Sequence, residues 1–318
     1  MKNNSTKNYS RVVLWLSWLL GLTLFGLILM QVCKSGALAF IFYFSPKIVI
    51  PWLITTFLAR LLMVEVFVRP IQLLGVTMRR MSAFWLGWLR TFFNQMIPLS
   101  GITLIAAYCK RHCGLAWGEL GALSSPLYFL SLAATGIFAT GSIILGADKL
   151  GNSFVPVAVL SVLITSLSIA IIAKGSVVLV FLPAGVRRRL DTMERSLRLF
   201  EGHGQLLSRL FVSYGGILLL RCIRLWLLFF LGTNLNLGVQ EILLLAAISE
   251  FGFLVPLIPG GIGVREGALI SVAWMLGLDM EIVAAVALMD RLFSIVLVAI
   301  MAIPAYFVLR KEIVAVAE

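Results

Sequence analysis

Ten ionisable side chains stand inside otherwise oily stretches of this sequence: Arg60, Glu65, Lys174, Arg221, Arg224, Glu250, Arg265, Glu266, Asp290 and Arg291. Six are cations and four are anions, so one-to-one pairing leaves cations over. A charge at mid-bilayer costs at least about 2.5 kcal/mol on insertion scales, so such groups face the protein interior or water, and pair. One reading is structural: Glu250 or Asp290 pairs with Arg265, Arg224 or Arg291 and ties broken helices to their neighbours. The other is ligand binding. Surplus guanidinium in a wet cavity suits a phosphate, which it grips through two parallel N–H···O bonds. Arg221 and Arg224 are three apart and share one helix face. Lys174 is the weaker candidate, because it can snorkel to an interface.

The stretch 250–267, EFGFLVPLIPGGIGVREG, shows where such a cavity would sit. It lies between apolar runs 242–248 and 268–276, each far short of the roughly 20 residues that cross a bilayer. Pro256, Pro259, Gly260, Gly261 and Gly263 break any helix between them. Open backbone at membrane depth is tolerated only where protein buries it or it lines a wet cavity. A half-helix restarting near Val264 would point its positive end at the glycine break. Glu266, in that first turn, either caps the free amides or contacts substrate. Segment 84–108 is interrupted in the same way, with Asn94, Gln95, Pro98, Ser100 and Gly101 at its middle. Arg90 precedes this break and Lys110, Arg111 and His112 follow it, so the segment reads as a hairpin that enters from the cytoplasm and returns there.

The elements that must position these groups follow from composition. The 318 residues are 61% hydrophobic and 13% charged, against about half and a quarter in soluble domains. The chain is therefore read as an all-α polytopic membrane protein. Spans are expected over 12–31, 48–68, 120–145, 155–182, 210–231 and 282–309, with re-entrant hairpins at 84–108 and around 250–267. A net charge of +12 would suggest nucleic acid in a soluble protein. Here the cations fall mostly in short loops on one side, with Lys34, Lys47 and Lys149 on the other, so no nucleic-acid partner is expected and the positive-inside rule places both termini in the cytoplasm, with the protein in the inner membrane. Residues 186–208 open on Arg187, Arg188 and Arg189 and suit an amphipathic helix on the inner leaflet. The tryptophans, including Trp15, Trp18, Trp52, Trp85 and Trp88, read as an interfacial belt. Cys109, His112 and Cys113 have no second ligand cluster, so neither a metal nor another cofactor is expected. No cleavable signal peptide is read before the first span.

The order of elements repeats. Two spans, a hairpin and a span occur twice, the first set starting inside and the second outside, giving inverted halves at about 12–150 and 151–311 of a single membrane domain, 1–318. Arg60 precedes Pro98 by 38 positions, and Arg221 precedes Pro259 by the same number. Inverted repeats with broken helices near the midplane are a common transporter architecture.

Pro256, Pro259-Gly260-Gly261, Gly263 and Glu266 resemble the recurring motif of the lysylphosphatidylglycerol synthase transmembrane-region family, also called the flippase-like domain family. Arg60 looks like its second-span arginine, Asn94 and Pro98 like its Asn-x-x-x-Pro, and Arg291 like its last-span arginine. The sequence departs from the family at Ser100-Gly101, where Gly-Glu is common, and in the third span, which lacks the usual acidic and basic pair. The resemblance implies movement of a lipid, or of a lipid-linked group, between leaflets. Bifunctional relatives carry a soluble aminoacyl-transferase domain after the membrane part; none is read here, so lipid aminoacylation is not expected. The candidate substrate-binding set is Arg60, Asn94, Pro98, Arg221, Arg224, Glu250, Pro259, Gly260, Gly261, Gly263, Arg265, Glu266, Asp290 and Arg291.

Two functions of different class follow. The first is a flippase or translocase for an anionic phospholipid or a lipid-linked glycan precursor, with membrane lipids as its partners. The second is a non-transporting accessory protein that holds a membrane glycosyltransferase for envelope glycolipid synthesis, docking through 187–209. A homo-oligomer is compatible with either. No nucleophile–base arrangement or nucleotide loop is present, so an enzyme is not expected.

Overall fold

The structure is a computed structural model that describes residues 45–97, 100–115, 117–146, 154–180, 197–200, 202–233, 235–254 and 261–315, with isolated positions before residue 45. Among the described residues the fold is helical, in nine elements: α1 (Pro46–Gln72), α2 (Arg80–Met96), α3 (Ser100–Cys113), α4 (Trp117–Leu145), α5 (Val155–Val180), α6 (Gly204–Thr233), α7 (Val239–Leu254), α8 (Val264–Met275) and α9 (Met280–Ala315). Five of these, α1, α4, α5, α6 and α9, are long and apolar enough to cross a bilayer. The expected first span, 12–31, lies mostly outside the described residues, as do Pro98, Pro256, Pro259 and Gly260 and most of 186–208.

Length separates two kinds of helix. α1, with 27 residues, rises about 40 Å at 1.5 Å per residue and exceeds the hydrocarbon thickness of about 30 Å. Pro46 sits in its first turn, where a missing N–H costs nothing. The hydroxyls of Thr55 and Thr56 donate back to the Trp52 carbonyl at 2.9 and 2.8 Å, so these buried polar groups are satisfied inside the helix. By contrast α2, α3, α7 and α8 have 17, 14, 16 and 12 residues. Each is too short to span on its own.

The buried apolar residues form two cores, and these fix helix direction. Leu86, Trp88 and Leu89 of α2 and Ile105 and Cys109 of α3 lie in the first core. Leu244 and Leu245 of α7 and Leu269 and Val272 of α8 lie in the second. α1 begins in the second core with Ile48 and Trp52 and ends in the first with Val68 and Ile71. α9 follows the same order, from Val283 to Leu309, whereas α6 runs from Leu210 in the first core to Phe229 in the second. α1 and α9 therefore run one way and α6 the other, and the two short-helix pairs occupy opposite ends of the bundle.

Packing repeats with the same logic. α1 lies along α6. α2 packs on α9 as α7 packs on α4; α2 meets α3 as α7 meets α8; α1 touches α2 as α6 touches α7. Exchanging α1 with α6, α2 with α7, α3 with α8 and α4 with α9 maps these contacts onto themselves.

Glycine enables the closest approaches. A β-carbon on Gly101 would collide with the Arg90 carbonyl oxygen and with Asn94, and one on Gly136 with the Thr165 hydroxyl across the α4–α5 contact. Beside that contact Thr140 and Ser161 hydrogen-bond through their hydroxyls at 2.9 Å. α5 kinks at Lys174, which is non-helical and exposed, consistent with a side chain that reaches an interface.

Candidate functional site

The central polar site is built from α1, α6, α7, α8 and α9. Asp290, 1% exposed, is its hub. One carboxylate oxygen accepts from Trp52 Nε1 at 2.8 Å and pairs with Arg224 Nε at 3.0 Å. The other accepts from Arg265 Nη2 at 2.7 Å and Arg224 Nη2 at 3.2 Å. Arg224 also reaches the Thr56 hydroxyl at 3.5 Å and lies over the Trp52 ring. Two arginines thus share one carboxylate. Arg221, one helical turn before Arg224, forms an ion pair with Glu250 of α7.

Glu266 caps α8 and also pairs with an arginine of α9. Its Oε2 accepts the Gly263 N–H at 2.8 Å, which is the acidic half of a capping box at the start of α8. Its Oε1 accepts from Arg291 Nη1 at 3.1 Å. Gly261 and Gly263 have φ of +65° and +81°. Only glycine takes that left-handed backbone without a steric cost, so the turn can pass directly into α8. Arg265, Glu266, Asp290 and Arg291 are all buried.

Arg60 stands apart from the carboxylates. Its Nη1 donates to the Thr91 hydroxyl at 2.8 Å, and its guanidinium lies 4.5 Å from the centre of the Trp88 ring. Arg90 and Arg224 are both close enough to Arg60 to repel it. Asn94 is engaged locally: its Oδ1 accepts the Gly101 N–H at 2.8 Å and closes the α2–α3 break. Ser100 adds a hydroxyl donated to the Phe93 and Ile97 carbonyls, each at 2.7 Å. In sum, Arg221, Arg224, Arg265 and Arg291 meet Glu250, Glu266 and Asp290, and Arg60 stands beside them, so these described residues number five cations to three anions.

Three expectations change. Glu65 does not join the site; it binds Arg69 and Arg80 at 2.8 and 3.0 Å at the end of α1. Trp52 and Trp88, read as belt residues, are 1% and 0% exposed. One anchors Asp290 and the other underlies Arg60, because an arginine in low dielectric gains from an aromatic face. Arg90, read as a flank of the first break, lies ten residues into α2 and lines a cleft with Arg60. A sequence signal for Trp52 existed: Trp52, Thr56 and Arg60 recur every fourth residue and share one face of α1.

Fold and site together define an integral, all-helical polytopic membrane protein with an arginine-rich buried centre and paired short helices. The chain belongs to the family described as the lysylphosphatidylglycerol synthase TM region, whose pattern matches residues 11–302. No curated protein and no solved structure matches it.

Proposed function

We propose that this protein is a flippase-like translocase that moves the headgroup of an anionic phospholipid, or of a lipid-linked glycan precursor, between the leaflets of the inner membrane. The observation that carries the reading is the polar centre, where four arginines meet three carboxylates and Arg60 stands beside them, between helix pairs seated at opposite ends of the bundle. Uncompensated guanidinium charge in an apolar surround is complementary to phosphate. On this reading α2–α3 and α7–α8 are re-entrant hairpins entering from opposite sides. The contacts that map onto themselves are then the trace of an inverted repeat, and alternating access is a rocking of one half against the other. The cations Arg69 in the last turn of α1, Arg79 and Arg80 at the start of α2, and Lys110 and Arg111 at the end of α3 mark the cytoplasmic side.

The test is leaflet exchange in proteoliposomes carrying fluorescent phosphatidylglycerol or phosphatidylcholine, read by dithionite quenching of the outer leaflet. Wild type is expected to exchange phosphatidylglycerol faster, and Arg60→Gln to abolish the difference. Arg60 is the informative position because its removal strands no carboxylate. Exchange of neither lipid by a folded protein would turn the assignment toward the accessory role.

A further inference from the structure

The cleft between α1 and α2 holds charge that the central carboxylates do not meet. It is a partly open cleft lined by Arg60, Phe67, Phe84, Gly87, Arg90 and Ile105 among others. Arg60 lies at the middle of α1 and Arg90 in the interior of α2, so two guanidiniums from different helices face one space. Neither has a carboxylate partner among the described residues. Arg60 is held by Thr91 and Trp88, and Arg90 makes no hydrogen bond or ion pair there. The acid closest along α1, Glu65, is already bound by Arg69 and Arg80.

Arginine stays protonated, so the two cations cannot relieve their repulsion by losing a proton. An anion between them does so, and a phosphate has enough oxygens to accept from both forks. The walls add the second half of the specificity. Phe67, Phe84 and Ile105 suit hydrocarbon and offer nothing to a free, hydrated ion. We propose that this cleft is a phosphate-binding site in which Arg60 and Arg90 together hold the phosphodiester of an anionic lipid, with its chains against the apolar walls. The proposal deepens the translocation reading, on which the lipid source rests, by placing a headgroup site beside the central arginines. The phosphate chemistry stands on the cleft alone.

Binding is measured on purified protein in micelles, where leaflets do not exist, so failure of transport and failure of this site are separately visible. The probes for calorimetry are dioctanoyl phosphatidylglycerol, dioctanoylglycerol and inorganic phosphate. Wild type is expected to bind the phospholipid at least tenfold more tightly than either of the others. Arg90→Gln should lose that tenfold preference, and Arg90→Lys should lose about threefold, since a point charge remains but the fork is gone. Phospholipid binding unchanged in both variants overturns the proposal. Equal binding of dioctanoylglycerol overturns phosphate recognition, and equal or tighter binding of inorganic phosphate overturns the lipid source. If Arg90→Gln does not fold, Arg90→Lys decides alone: weakened phospholipid binding supports the site, and wild-type binding refutes it.

Discussion

Replacing Asp290 with asparagine changes one atom type at the hub of the buried site and tests whether its charge, rather than its hydrogen bonds, holds the helices together. Asp290 contacts Trp52, Arg224 and Arg265, which come from α1, α6 and α8. If only hydrogen bonds mattered, three partners at the roughly 0.6 kcal/mol average for membrane proteins would give about 2 kcal/mol as the most that could be lost. Asparagine keeps one acceptor, so the loss on that view is smaller still. If charge matters, the substitution leaves Arg224 and Arg265 facing each other across a neutral amide in low dielectric. Breaking a buried ion pair costs about 3–5 kcal/mol, because the remaining charge is stranded. The expected outcome for Asp290→Asn is therefore a destabilisation of about 3–5 kcal/mol, measured by reversible unfolding in mixed micelles with increasing SDS. The double variant Asp290→Asn/Arg224→Gln should recover part of the loss, since it removes one of the two stranded cations. A loss below about 1 kcal/mol, with no recovery in the double variant, would refute the charge argument, because hydrogen bonds alone would account for it.

Two further outcomes follow from local geometry. Gly101→Ala places a methyl against the Arg90 carbonyl, which is backbone and cannot rotate away; a destabilisation of about 1–3 kcal/mol is expected in the same unfolding assay, and a neutral result would mean that α2 and α3 do not approach so closely. Glu266→Gln keeps an acceptor for the Gly263 N–H but loses the charge opposite Arg291, whereas Glu266→Ala loses both. The alanine variant should be the less stable by about 1 kcal/mol, the typical value of a helix cap, and equal stabilities would show that the capping contact contributes nothing.

Much of this architecture was legible in the sequence because membrane constraints are coarse. The five described spans lie where apolar runs of sufficient length occur, and α8 begins at Val264, where glycine and proline allow it to restart. The ion pairs were readable only as a set. Charge counting gave Glu250 and Asp290 as acceptors, but whether Arg221 or Arg224 meets Asp290 depends on how α6 is rotated against α9, and periodicity does not record that. The tryptophans misled for a related reason. Trp52 lies near the start of α1, where an interfacial ring is common, yet its ring is buried against Phe293 and its N–H bonds Asp290, both of α9. Arg90 was hidden by its neighbours, since Lys110, Arg111 and His112 made the surrounding cations look like loop residues.

The span of the Asp290 contacts along the chain sets an order of assembly. Arg224 precedes Asp290 by 66 residues, and Trp52 precedes it by 238. At roughly 5–20 residues per second of synthesis, α6 emerges about 3–13 s before its counterion, and Trp52 waits about 12–48 s for its acceptor. For those seconds Arg224 is without the carboxylate that neutralises it, and a lone arginine resists the hydrocarbon. The arginine-bearing middle of α6 is therefore expected to stay at the translocon, or beside water, until α9 arrives. Release of α6 into lipid is then tied to completion of the last helix.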